Sequence, residues 1–180
     1  MKYSAIVATF GRPDEVRELL DSLCEQQYKN FEVLMVDGTP DEELVPVIGN
    51  YKEKLDVKHI HRPYLGISDS RNLGCEKAEG DYFIIFDSDC IIPPHYFQTI
   101  HEKILKENID AFGGPDAALS SFTPLQKAIN YSMTSFFTTG GIRGKKKRVG
   151  QFHPRGFNMG FSKAVFDKTK GFSSLKVSED

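Results

Sequence analysis

The run Phe83-Ile84-Ile85-Phe86 has no polar alternation, and it breaks directly into Asp87-Ser88-Asp89. A strand that is apolar on both faces has to be covered on both, which is the condition of a parallel sheet held between layers of helices. Ligands of such sheets gather outside the carboxyl ends of the strands, so Asp87 and Asp89 are expected at the mouth of a site. Hard cations such as Mg²⁺ or Mn²⁺ bind through one or two carboxylates together with phosphate oxygens, so this pair suits a metal–diphosphate. A turn in which one Asp bonds the backbone of the following segment would account for the same residues without a ligand.

The surrounding chain repeats the same strand-then-helix rhythm, which argues for an α/β fold with crossover helices. Expected strands are Tyr3–Thr9, Phe31–Val36 ending at Asp37, Val57–His61 and Tyr82–Phe86. Pro13 opens the first helix, with Asp14 and Glu15 at its positive end and Val16, Leu19, Leu20 and Leu23 at helical spacing. A second helix is expected from about Glu42 to Tyr51. A third should be capped by Ser68 or Asp69 and run to Ala78. Beyond Pro94 a helix reaches about Asn108 with Phe97, Ile100, Ile104 and Leu105 as its buried stripe, followed by a short strand from Ala111 to Gly114. Pro124–Phe137 reads as a helix, Thr138–Gln151 as a glycine-rich basic loop, Phe157–Phe161 as a strand and Lys163–Thr169 as a short helix.

Composition narrows the class further. With 180 residues, 39% hydrophobic and 27% charged, the chain is long enough for one substantial core and predicts a single domain. A formal net charge of −2 gives no overall attraction to nucleic acid, and no nucleic-acid partner is expected. Cys24, Cys75 and Cys90 have neither metal-ligand spacing nor an even count, which suits reduced thiols in the cytoplasm, with Cys24 and Cys75 filling core gaps. The apolar run at the start is too short for a signal peptide, and no later run reaches the length of a membrane span. Lys176-Val177-Ser178-Glu179-Asp180 stops without a closing helix or cap, so the sequence is expected to be shortened from a longer protein.

Four stretches in order carry a resemblance: Ser4-Ala5-Ile6-Val7-Ala8-Thr9-Phe10-Gly11-Arg12-Pro13, then Phe31-Glu32-Val33-Leu34-Met35-Val36-Asp37, then Gly66 through Arg71-Asn72-Leu73-Gly74, then Asp87-Ser88-Asp89. Together they resemble the family 2 glycosyltransferases of the GT-A fold, and Arg155-Gly156-Phe157-Asn158-Met159-Gly160-Phe161 with the terminal Glu179-Asp180 fits the acceptor half of that family. The resemblance implies a Rossmann-like, mostly parallel sheet flanked by helices. Residues 1–110 would bind a nucleotide-sugar donor, and residues 111–180 would form an incomplete acceptor half of the same domain. It also implies metal-dependent, inverting transfer of a sugar from a nucleotide-diphosphate sugar to a saccharide or lipid-linked acceptor in cell-surface polysaccharide synthesis.

Site roles follow from the same resemblance. Asp89 is the expected ligand of Mg²⁺ or Mn²⁺, and Asp87 lies nearer the ribose, reaching the cation through water. Thr9, Phe10, Arg12 and Asp37 border the nucleotide, with the Phe10 ring available for stacking on the base. Arg71 faces the phosphate oxygens beside the start of its helix. Gly38 stands where relatives commonly carry an acidic or amide residue against the base, so the base is left open among UDP, GDP and dTDP, with UDP favoured. Asp180 would take the acceptor proton, with Glu179 beside it, and a base at a chain end is poorly held, so donor binding with weak turnover is expected.

Other charged groups have less specific readings. Lys145-Lys146-Lys147-Arg148 suggests a diphosphate clamp, a peripheral contact with anionic lipid head groups, or a solvated loop. His153 precedes the Asn158 strand and is too early for a metal ligand, His59 and His61 are expected to face solvent or a neighbouring helix, and His95 and His101 read as helix surface. Phosphatases that use an aspartyl nucleophile place such a pair on the first strand, and a dehydrogenase would need G-x-G-x-x-G there. A non-catalytic module that binds nucleotide-sugar or a partner protein is the competing reading from another class.

Overall fold

A computed structural model of the chain describes residues 1–114, 123–135 and 156–173. Its elements run β1 (Tyr3–Thr9), α1 (Pro13–Cys24), β2 (Phe31–Asp37), α2 (Leu44–Gly49), β3 (Val57–His61), α3 (Ile67–Lys77), β4 (Tyr82–Asp87) and α4 (Tyr96–Glu107). There follow β5 (Ala111–Gly113), α5 (Pro124–Thr134), β6 (Met159–Ser162) and a last helix, α6 (Lys163–Thr169). The strands form one six-stranded sheet in the order β3-β2-β1-β4-β6-β5. The first four strands in that order are mutually parallel, whereas β6 runs antiparallel to both β4 and β5.

Helices cover both faces. On one, Tyr3, Ala5 and Val7 of β1 and Val33 and Met35 of β2 pack against Val16, Leu19, Leu20 and Leu23 of α1 and Phe97, Ile100 and Ile104 of α4. The Phe31 and Phe97 rings stack there with centroids 4.4 Å apart. On the other face Ile6, Leu34, Phe83 and Ile85 meet Cys75 of α3 and Phe161 of β6. Each fully buried aliphatic or aromatic side chain of this kind contributes roughly 1.5–3 kcal/mol, which is how an uninterrupted apolar β4 pays for losing its backbone freedom.

Departures from the sequence reading have local causes. The third helix is capped by Gly66 in extended conformation with no side-chain cap bond, so Ser68 and Asp69 lie inside its first turn rather than ahead of it. The second helix is shorter than expected, and Leu105 is 57% exposed rather than part of the α4 stripe. His101 is only partly exposed, its Nδ1 lying 3.0 Å from the Tyr3 hydroxyl beside a cluster of aromatic rings. Of the expected core cysteines, Cys75 is buried and Cys24 only partly so, and all three thiols are free. No helix among the described residues is long and apolar enough to cross a membrane.

Candidate active site

The parallel strands deliver Thr9, Asp37, His61 and Asp87 to one edge of the sheet, because the β1 register pairs Thr9 with Asp37 and Ala8 with Asp87, and β2 pairs Asp37 with His61. A cleft of about 600 Å³ opens at this edge. Its walls include Phe10 and Arg12 after β1, Arg71 of α3, Asp87 and Asp89 after β4, and Gly156 and Phe157 ahead of β6.

The two faces of the cleft differ in how firmly they are held. Arg71 is 3% exposed, and its guanidinium donates from Nη2 to Asp87 Oδ1 at 3.3 Å. A Cβ at position 156 would overlap that guanidinium, so only glycine leaves room for Arg71 to lie across to the β4 end. The Asp87 side chain keeps 43% of its surface open to the cleft, and Asp89 is exposed. Burial pushes the neighbouring Cys90 thiol up to about 12, with the Asp87 charge adding to it, so the thiol stays protonated beside the carboxylates.

On the β1 side, Phe10 presents its ring at 58% exposure. Gly11 and Arg12 both lie in the left-handed region, at φ 65° and 61°. Arg12 is therefore a strained N-cap of α1 whose guanidinium is held 3.1 Å from Glu15 at the rim of the cleft. Thr9 is buried at the strand end, where its hydroxyl donates to the Gly11 carbonyl at 3.4 Å. Asp37 is fully buried: Oδ1 accepts the Thr39 N–H at 2.9 Å, and Oδ2 pairs with His59 Nε2 at 3.0 Å. Any contact to a base or ribose has to share the Asp37 carboxylate with these two partners.

The histidines of β3 thus turn inward rather than toward solvent. His61 Nε2 meets the Thr39 carbonyl at 2.8 Å, and since a carbonyl only accepts, that nitrogen carries the proton. Thr39 in turn accepts the Gly11 N–H at 2.7 Å, so β3 braces the turn after β2, and that turn braces the loop after β1. The sequence signal for this brace was the alternation of His59 and His61 opposite a strand ending in Asp37. Thr9, Phe10, Arg12, Asp37, Arg71, Asp87 and Asp89 are gathered at one sheet edge. Lys145–Arg148, His153, Arg155, Glu179 and Asp180 lie outside the described residues.

Comparison with known proteins places the chain among relatives. The profile of the family described as glycosyl transferase family 2 matches residues 4–169. Among curated proteins, the chain is 30% identical over 112 residues to the glycosyltransferase GlyA of Streptococcus pneumoniae, covering 61% of this chain and 16% of that protein. It is 32% identical over 93 residues to the poly(ribitol-phosphate) beta-N-acetylglucosaminyltransferase TarS of Staphylococcus aureus, covering 49% of this chain and 16% of TarS. Among solved structures, S. aureus TarS 1–349 in complex with UDP-GlcNAc superposes with a TM-score of 0.74 at 22% identity, over 100% of this chain and 51% of that one. The mannosyltransferase PcManGT of Pyrobaculum calidifontis, in complex with GDP-Man and Mn²⁺, gives 0.75 at 16%, over 99% of this chain and 49% of that one. The chain therefore has the GT-A fold of these structures and spans about half their length. With the family model matching nearly its whole length, this chain belongs to glycosyl transferase family 2.

Proposed function

We propose that residues 1–110 bind a nucleotide-diphosphate sugar, a UDP-sugar by preference, and that residues 111–180 belong to the acceptor side of the same domain. The reaction is inverting transfer of the sugar to a saccharide or lipid-linked acceptor, on the cytoplasmic side, in cell-surface polysaccharide synthesis. The observation that carries this reading is one cleft lined by an open pair of carboxylates, Asp87 and Asp89, a buried arginine, Arg71, and an exposed aromatic ring, Phe10. Relatives of the same fold bound to UDP-GlcNAc, and to GDP-Man with Mn²⁺, support that donor class.

The donor set fits a hard divalent cation. Asp87 and Asp89 supply only oxygen, and no group of three or more His, Cys, Asp or Glu side chains among the described residues is placed to hold a metal by itself. Bound there by Asp89, with Asp87 alongside, Mg²⁺ or Mn²⁺ would neutralise charge on the departing nucleotide diphosphate.

The chain's own residues do the rest. Arg71, held against Asp87 at the cleft wall, places a positive charge against the phosphates. Phe10 covers the base and excludes water from one face, while Arg12 offers a second guanidinium at the rim. Asp180 is assigned the proton of the acceptor hydroxyl and Glu179 a place beside it, on the sequence resemblance alone. Lys145, Lys146, Lys147 and Arg148 are assigned to anionic head groups around a lipid-linked acceptor.

The test is to incubate the protein carrying this chain with Mn²⁺ or Mg²⁺ and a panel of UDP-, GDP- and dTDP-sugars and to follow release of nucleotide diphosphate. One donor is expected to be cleaved only with metal, and Asp89→Ala should abolish the release. Metal-dependent UDP binding with no cleavage of any donor would favour a non-catalytic binding module, and indifference to Asp89→Ala would remove the site from the account.

A further inference from the structure

Arg71 and Asn72 are consecutive residues of α3, yet they hold segments far apart in sequence. The Arg71 guanidinium donates to Asp87 at 3.3 Å on the cleft side and lies 5.5 Å from the centre of the Phe172 ring on the other. Asn72 grips the backbone of the same Phe172 from both sides: its Nδ2 donates to the Phe172 carbonyl at 2.9 Å, and its Oδ1 accepts the Phe172 N–H at 2.8 Å. A side-chain amide that satisfies both polar groups of one residue fixes that peptide in position and orientation, much as a neighbouring strand would.

The receiving segment is shaped for this grip. Gly171 has φ 84°, a conformation that side chains disfavour, and a Cβ there would overlap Asn72 Oδ1. The Phe172 ring meets Phe161 of β6 edge-on at 6.1 Å.

We infer that Asn72 is a positioning residue that fixes the turn at Gly171–Phe172 beside the donor site, and that Arg71 makes this turn sensitive to the nucleotide. The inference rests on the donor reading given above. When the turn at Gly171–Phe172 opens, Arg71 loses the ring that packs against it. A diphosphate that binds the ordered guanidinium then favours the closed turn. A ligand shifts such an equilibrium only by its differential affinity, and the coupling is reciprocal: a turn held closed strengthens the nucleotide by the same factor. Typical couplings of this kind are about 5-fold or more.

Amide hydrogen exchange over residues 171–173 of the 180-residue chain tests both parts. Without ligand, Asn72→Ala and Gly171→Ala should each accelerate exchange there by at least about tenfold, while β1 and β4 keep their protection; Asn72→Asp, which retains only the acceptor for the Phe172 N–H, should fall between. Unchanged exchange in both alanine variants would overturn the clamp. With saturating UDP and Mn²⁺, the native chain should slow exchange at 171–173 by about fivefold, and Asn72→Ala should lose that slowing while β1 and β4 show the chain is folded. If UDP–Mn²⁺ binds by calorimetry and leaves residues 171–173 unaffected, the coupling is wrong and the donor reading stands. If UDP, GDP and dTDP all fail to bind with Mn²⁺, the donor reading and the coupling fall together, and the clamp is judged on the ligand-free variants.

Discussion

The two edges of the same sheet use carboxylates in opposite ways. At the amino edge Glu32 is fully buried, and its Oε1 accepts the Ser4 hydroxyl at 2.7 Å and the Glu79 N–H at 2.6 Å. Its Oε2 is ion-paired with Lys58 at 2.8 Å and approached by Lys2 at 3.6 Å. Burial alone would push this carboxyl up, but the bonds from Lys58, Ser4 and the Glu79 amide, with the charge of Lys2, outweigh it and hold it below its ordinary value of 4.5. At the carboxyl edge Asp87 pairs with Arg71 yet keeps nearly half its side-chain surface open, and Asp89 is exposed. A carboxylate whose partners all belong to the chain is structural, whereas one left open at the strand ends of an α/β sheet is available to a ligand.

That contrast breaks most visibly at Asp89. Asp89→Ala should cut Mn²⁺-dependent UDP affinity by roughly 100-fold. Its urea midpoint should barely move, because exposed substitutions away from caps and networks stay within about 0.5 kcal/mol. Glu32→Gln should do the reverse, costing about 1–3 kcal/mol in urea unfolding by placing a neutral amide where a buried carboxylate accepts from Ser4, the Glu79 amide and Lys58, and leaving UDP affinity of the folded fraction within about twofold.

The pH dependence sharpens the same difference. Glu32 is held low in the folded chain, so its contribution to stability is present above 4.5 and is lost as pH falls through the lower folded value. Hydrogen bonds from Lys58 to Glu32 and Glu79 hold its ammonium above the ordinary 10.5, so its contribution is present below 10.5 and is lost as pH rises through the higher folded value. Thermal unfolding should therefore show a plateau between these limits, and Glu32→Gln should flatten both flanks. If the flanks are unchanged in that variant, the amino-edge network is not what sets them.

The smallest effect is expected at Arg12. Its left-handed backbone costs about 1–2 kcal/mol in a residue with a side chain, so Arg12→Gly should stabilise the chain by about 1 kcal/mol while weakening UDP severalfold. Stabilisation with no loss of affinity would take Arg12 out of the binding site.

Much of the sheet was legible because its signals are local. Val57–His61 and Tyr3–Thr9 were bounded by their own composition, and the apolar β4 announced both its burial and the carboxylates at the cleft beyond its end. Helix edges were less readable where a cap was geometric: an extended Gly66 starts α3, and nothing in Ser68-Asp69 reveals that they lie inside its first turn. Leu105 fits the helical stripe by spacing, but α4 presents that position to solvent. The site was legible as a set of strand-end polar residues and illegible in its bracing. Partners such as His59 with Asp37, Gly156 with Arg71 and Asn72 with Phe172 lie 22, 85 and 100 residues apart, and no local pattern links them.

Titration calorimetry of the 180-residue chain with UDP, in Mn²⁺ and in EDTA, compares the two edges directly when run on the native protein, Asp89→Ala and Glu32→Gln. Binding that requires Mn²⁺, vanishes in Asp89→Ala and survives in folded Glu32→Gln is the predicted result. Binding that is indifferent to Mn²⁺ or to Asp89→Ala would contradict the assignment of the carboxyl edge as the donor site.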